Sequence, residues 1–203
     1  MSEKIRVGIF GGTFNPPHIG HIESAKSFID ALSLDRLLII PTLIPPHKET
    51  SSNISPTDRL NMCRLAFADI PRCEVSDIEI KRGGKSYTYM TLEELSSQEV
   101  ELFMLCGTDM ILTMDSWKNP NVIFDLAKVC YVRRELEKDN ELKIDEKIAL
   151  YKEKFRAEIV AINSSVIQLS SSEVREKISS TEPYDELVAP EVKKYIVQRE
   201  LYQ

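Results

Sequence analysis

Apolar positions along the chain fall into short continuous runs separated by segments with helical spacing. Residues 5–10, 36–41, 102–106, 129–132 and 159–162 are such runs, and runs of this length predict buried strands. Between them the spacing changes. Ile22, Ala25, Phe28, Ile29 and Leu32 recur at intervals of three and four, which predicts a helix over 20–32. Ser55-Pro56-Thr57-Asp58 carries a capping serine, a proline for the first turn and an acid for the dipole, so a helix starts there and continues through Leu60, Cys63 and Phe67. Residues 74–81 alternate between polar and apolar, which predicts a strand with one wet face near a sheet edge. Further helices are predicted over 87–95, 121–128, 170–178 and, after Pro190, 191–201. The highly charged segment 135–154, with Ile144, Ile148, Leu150 and Tyr151 inside it, reads as an exposed amphipathic helix or insertion. Residues 42–55 are a loop rich in proline and polar residues, and a loop of that size tends to carry function.

Strands alternating with helices predict a parallel sheet covered on both faces. In such a sheet the ligand sits beyond the carboxyl ends of the strands, where strand order reverses. Two polar turns follow apolar runs at such ends: Gly11-Gly12-Thr13-Phe14 after the first, and Gly107-Thr108-Asp109 after a central one.

Composition narrows the partners. The 203 residues carry a formal net charge of −6, with 42% hydrophobic and 29% charged residues. That balance suits a globular chain and argues against a broad nucleic-acid footprint. An anionic ligand would need positive charge gathered locally, for which His18, His21, His47, Lys48 and Arg175 are candidates. Cys63, Cys73, Cys106 and Cys130 form no C-x-x-C pair, so no zinc knuckle or redox motif is indicated, and Cys106 and Cys130 read as small core residues. No stretch is long and apolar enough to span a bilayer, and the first residues carry no apolar signal core. A reduced, cytoplasmic setting is the resulting expectation.

The densest chemistry lies in Gly11-Gly12-Thr13-Phe14-Asn15-Pro16-Pro17-His18-Ile19-Gly20-His21. Glycines allow a backbone to approach phosphate closely. A helix start supplies N–H groups and a positive dipole end. His18 and His21, three apart, share a helix face. An isolated H-x-x-H is more often a surface or capping pair, but the whole block leaves little room for coincidence. Gly20 removes a side chain where a phosphate would crowd in.

This block resembles the signature of the nucleotidyltransferase superfamily with the H-x-G-H motif. Pro45-Pro46-His47-Lys48, Ser86-Tyr87-Thr88, Gly107-Thr108-Asp109-Met110 with Trp117, and Leu169-Ser170-Ser171-Ser172-Glu173-Val174-Arg175 follow in an order similar to that of bacterial nicotinate-nucleotide adenylyltransferases. The resemblance runs from Val7 to about Tyr202. It implies a single nucleotidyltransferase domain over 1–203, Rossmann-like and doubly wound, with a C-terminal helical part from about 166. It implies adenylyl transfer from ATP to nicotinate mononucleotide, giving nicotinate adenine dinucleotide and pyrophosphate. Under it His18 and His21 are catalytic. Gly11, Gly12, Thr13, Phe14, Gly20, Ser171, Ser172 and Arg175 bind ATP. His47, Lys48, Thr88, Gly107, Asp109 and Trp117 bind substrate. Mg²⁺ arrives with ATP, with no carboxylate cage for a dedicated metal site, no nucleic acid or membrane partner is implied, and a homo-oligomer is left open.

The residues keep ordinary readings beside these. Ser170 with Glu173 forms a capping box whatever else it does. His47 and Lys48 could be a solvated loop tip, Asp109 a helix cap, and Trp117 a core anchor or a stacking surface for a pyridine ring. Asn15 stands where that family often has aspartate, Ser172 where it has threonine, and Lys118 where an aromatic or histidine is common. Lys118 would attract a substrate carboxylate. Alternatives are an adenylyltransferase for nicotinamide mononucleotide or phosphopantetheine, or a nucleotide-binding module without turnover. A dinucleotide-binding oxidoreductase is weak, because no G-x-G-x-x-G is present.

Overall fold

The computed structural model describes residues 4–45, 54–133, 138–163, 167 and 169–203. The strands are β1 (Ile5–Gly12), β2 (Arg36–Pro41), β3 (Cys73–Val75), β4 (Val100–Cys106), β5 (Ala127–Arg133) and β6 (Ile159–Asn163). They form one parallel sheet in the order β3-β2-β1-β4-β5-β6. This is the Rossmann-like, doubly wound arrangement, with strand order reversing between β1 and β4.

Helices cover both faces because the strands are apolar on both. On β4, Phe103 and Leu105 enter one core cluster while Leu102, Met104 and Cys106 enter the other, as the two-residue pleat requires. The first cluster is closed by α1 (Ile19–Leu32), α2 (Pro56–Ala66), α8 (Ser171–Ser179) and α9 (Pro190–Gln198). The second is closed by α4 (Thr88–Leu95), α5 (Thr108–Ile111), α6 (Pro120–Leu126) and α7 (Lys138–Phe155). Cys106 and Cys130 are buried, one in each cluster.

Three expectations change. The alternating stretch 74–81 is not a strand throughout: β3 ends at Val75 and α3 (Ile78–Arg82) follows. Asp77 and Lys81 pair across one turn at 3.0 Å, and Glu79 turns inward to accept from the Thr91 hydroxyl at 2.8 Å. The charged segment 135–154 is not merely an exposed appendage, since Ile144 and Tyr151 of α7 are buried in the second cluster. The last helix stops at Gln198, short of the expected Leu201, and the chain turns back so that the Tyr202 hydroxyl donates to Asn15 Oδ1 at 2.7 Å.

Gly8 sets how closely α1 approaches the sheet. A methyl group placed on it would lie 2.5 Å from Leu34 Cδ1 and 2.9 Å from Phe28 Cε1. Both side chains are wholly buried and have no room to retreat. Gly8→Ala is expected to cost about 1–3 kcal/mol through overpacking, read as a lower urea midpoint at unchanged slope. A midpoint equal to wild type would show that α1 can shift freely.

Candidate active site

In a sheet of this kind the ligand crevice is expected where strand order reverses. β1 and β4 are neighbours, with Phe10 opposite Leu105, so Gly11, Gly12 and Gly107 end adjacent strands at the same edge. A methyl group on Gly11 or Gly107 would meet nothing within 4 Å. The missing side chains leave backbone open to a ligand. Gly12 is tight for another reason: a methyl group there would lie 3.1 Å from the Phe14 ring.

Phe14 is 2% exposed and holds a left-handed backbone with φ of 47°. Its ring meets His21 edge-on at 5.0 Å between centroids, and also packs against Phe10 and Phe67. Phe14 is therefore a floor under His21, and what it offers a ligand is backbone.

His18 caps α1 and His21 stands in its first turn, with ring centroids 3.7 Å apart and 32° between planes. The His18 backbone N–H donates to His21 Nδ1 at 3.2 Å. That bond makes Nδ1 an acceptor and leaves Nε2–H of the neutral ring as donor. Burial, and then the neighbouring His18, hold the His21 pKa well below the usual histidine range. Gly20 has a local role beyond the one expected. A methyl group on it would lie 3.1 Å from the His18 ring and 3.3 Å from the Ile167 carbonyl, so its smallness admits the histidine ring. The helix start also has fewer free donors than expected. Ile19 N–H goes to the Leu187 carbonyl at 2.9 Å and His21 N–H to the His18 carbonyl at 2.9 Å.

The turn from 13 to 17 is held from outside. Ser171 Oγ donates to the Pro16 carbonyl at 2.9 Å, and Arg175 Nη1 to the Asn15 carbonyl at 2.7 Å. Arg175 Nη2 also donates to Ser172 Oγ at 3.0 Å. Ser170 and Glu173 form the expected capping box of α8, so this helix start is presented rigidly to the histidine turn. Ser171, Ser172, Arg175, His18 and His21 thus come together.

The elements that carry Thr88, Asp109 and Trp117 pack on the second cluster, across the sheet from the histidine turn. Thr88 opens α4, whose N-cap is Tyr87. Ser86 just before it accepts from Leu43 N–H at 2.8 Å, tying α4 to the chain beyond β2. Asp109 is exposed in the first turn of α5 and is not its cap, because Gly107 takes that position. Trp117 is half-buried against the second cluster, and Lys118 beside it is exposed. His47 and Lys48 lie outside the described residues.

Arg59 escaped sequence reasoning. It is 2% exposed, and its guanidinium donates to the carbonyls of Thr13 at 2.8 Å, Thr42 at 2.6 Å and Leu43 at 3.3 Å. It clamps the turns after β1 and β2 together. One signal was present: Arg59 stands in the first turn of α2, where a cation opposes the dipole. The tie from Tyr202 to Asn15 was missed as well, and Asp58 was read only as an acid for the helix dipole. Asp58 accepts from Tyr195 Oη at 2.8 Å and lies 3.4 Å from Arg199, joining α2 to α9. Such long-range partners leave no local pattern.

Fold and site together define a nucleotidyltransferase with paired histidines at the first helix start, and residues 9–182 match the family model described as Cytidylyltransferase-like. Similar curated proteins include one of Fusobacterium nucleatum, 35% identical over 195 residues, covering 95% of this chain and 97% of that one. Another, of Desulfatibacillum aliphaticivorans, is 34% identical over 218 residues, covering 98% and 100%. Both are named "Probable nicotinate-nucleotide adenylyltransferase". Among solved structures, a Plasmodium falciparum nicotinic acid mononucleotide adenylyltransferase complexed with NaAD superposes with a TM-score of 0.74 at 17% identity, covering 97% of each chain. That likeness speaks to the fold. The chain belongs to the nicotinate-nucleotide adenylyltransferase family, within the cytidylyltransferase-like enzymes.

Two outcomes follow from the geometry. Arg59→Met removes a buried cation and strands carbonyls of two turns, each worth about 1–3 kcal/mol when left unsatisfied. A loss of at least about 2 kcal/mol in unfolding free energy, read by urea titration, is expected; a neutral substitution would refute the clamp. His21 in the folded state refuses a proton that the unfolded chain accepts below about pH 6.5. Stability should therefore fall as pH drops below that value, and His21→Asn should flatten part of this loss in melting temperature against pH. Parallel curves for the two proteins would contradict the neutral buried imidazole.

Proposed function

We propose that the paired imidazoles of His18 and His21 carry adenylyl transfer from ATP to nicotinate mononucleotide in this chain. The carrying observation is their placement: two closely spaced, tilted rings at the start of α1, beside the glycine edge of β1 and β4, with Arg175 bracing the turn before them. The 5′-phosphate oxygen of the mononucleotide attacks the α-phosphorus of ATP. The bond from that phosphorus to the bridging oxygen breaks, and pyrophosphate leaves with the electron pair. The nucleophile is already an oxyanion, so no general base is needed and no covalent enzyme intermediate forms. Alignment and neutralisation of developing charge supply the catalysis.

In this reading His21 donates through Nε2–H to the α-phosphate in the transition state. His18 serves the attacking and transferred phosphates. Gly11, Gly12, Thr13 and Gly20 line the nucleotide with backbone, over the Phe14 floor. Ser171, Ser172 and Arg175 serve the outer phosphates, and Lys48 and His47 are assigned to the same phosphates. Thr88 and the N–H groups opening α4 receive the nicotinate carboxylate. Trp117 gives a face for the pyridine ring, and Gly107 and Asp109 flank the ribose. Lys118 adds attraction for the acid over the amide.

Imidazoles, hydroxyls and a guanidinium make no oxygen cage of the kind Mg²⁺ prefers. Among the described residues no group of three or more His, Cys, Asp or Glu side chains could hold a metal ion. In this reading Mg²⁺ arrives with ATP, carried on the triphosphate.

Pyrophosphate release from ATP, measured with nicotinate mononucleotide and nicotinamide mononucleotide in turn, tests the reading. Release with the acid well above release with the amide is expected, and none with either would overturn it. In the same assay His21→Ala should lower kcat by about 10²–10³-fold, the scale of one transition-state donor. Near-normal turnover by folded His21→Ala would remove the assigned role.

A further inference from the structure

The chain between Gly107 and Trp117 is fastened by α7. Tyr151 of that helix is wholly buried. Its hydroxyl lies 2.7 Å from the Ile111 carbonyl and 3.0 Å from Asp115 Oδ1, and it accepts from Asp115 N–H at 3.3 Å. Lys147, one turn earlier, donates to Asp115 Oδ2 at 2.8 Å and stands 5.8 Å from the Tyr151 ring centroid. Asp115 lies in the 3₁₀ turn Met114–Ser116, and Trp117 N–H closes that turn on the Met114 carbonyl at 3.1 Å.

The contacts thus fix both ends of one short piece of chain. Ile111 ends α5, which begins at the open Gly107 edge and carries Asp109. Asp115 sits two residues before Trp117. A phenylalanine would fill the volume of Tyr151 equally well, so the hydroxyl adds direction to the packing. The ion pair with Lys147 holds the Asp115 carboxylate in one orientation. None of the three groups belongs to the glycine edge or the histidine turn.

We infer that Tyr151, with Asp115 and Lys147, is a positioning device that sets Asp109 and Trp117 for the pyridine mononucleotide. The inference rests on the proposed roles of those two residues. It also accounts for the charged segment 135–154, in which one face of α7 braces the substrate side of the crevice and the opposite face is solvated. Binding groups left out of place hold the mononucleotide less well without touching the reacting atoms, so a brace distant from the chemistry acts through substrate affinity.

Trp117 is the only tryptophan in the chain, so its fluorescence reports this piece directly. In Tyr151→Phe the KM for nicotinate mononucleotide should rise on the order of tenfold, while the KM for ATP stays within twofold. Trp117 emission in the free protein should shift to the red and become more open to acrylamide quenching. Lys147→Met, at a half-exposed position that the core does not need, should move both readings the same way by less. If Tyr151→Phe fails to fold, Lys147→Met decides alone. A variant that loses stability but keeps both KM values, or keeps wild-type Trp117 fluorescence, would overturn the inference. Failure of the wild type to turn over nicotinate mononucleotide would overturn the proposed reaction, and the fluorescence result would still decide whether α7 sets Trp117.

Discussion

Everything at the ligand edge depends on how the turn after β1 is held. This turn runs through Phe14 in a left-handed conformation, so regular structure cannot satisfy its carbonyls. Side chains from elsewhere do so. Arg59 takes Thr13, Arg175 takes Asn15 and Ser171 takes Pro16. Buried carbonyls left without donors are costly, so α2 and α8 must both dock before the turn has a defined shape. His18 follows that turn directly, and its orientation inherits the docking.

The sheet separates the site into two halves. The histidine turn, α8 and the clamp from α2 belong to the first core cluster. The starts of α4 and α5 and the Trp117 segment belong to the second. They meet only at the edge where β1 and β4 lie side by side. A nucleotide on one side and a pyridine mononucleotide on the other would face each other across two strand ends. The reacting phosphates would then lie where backbone without side chains is most open.

Much of the fold was legible because burial leaves a pattern. The runs at β1, β2, β4, β5 and β6 are apolar on both faces, and Ser55 and Ser170 cap their helices as local rules require. Residues 74–81 misled because Glu79 is buried against Thr91 and Arg82, so polar and apolar positions no longer report exposure. The histidines, the glycine edge and Arg175 were legible as a block. Arg59, Tyr202 and the Asp115–Lys147–Tyr151 group were not, because each works through partners distant in sequence. Gly20 was legible as important, but the neighbour it makes room for became visible only in three dimensions.

The paired histidines carry a last consequence. Two imidazoles 3.7 Å apart, one of them held neutral, form a hydrogen-bonding surface with at most one positive charge. Such a surface competes with water for phosphate oxygens by geometry and not by bulk attraction. It grips a polyanion less tightly at rest than a cluster of lysines would. In the proposed reaction the same feature would serve both a transient transition state and the departure of pyrophosphate, so that chemistry and product release would draw on one property.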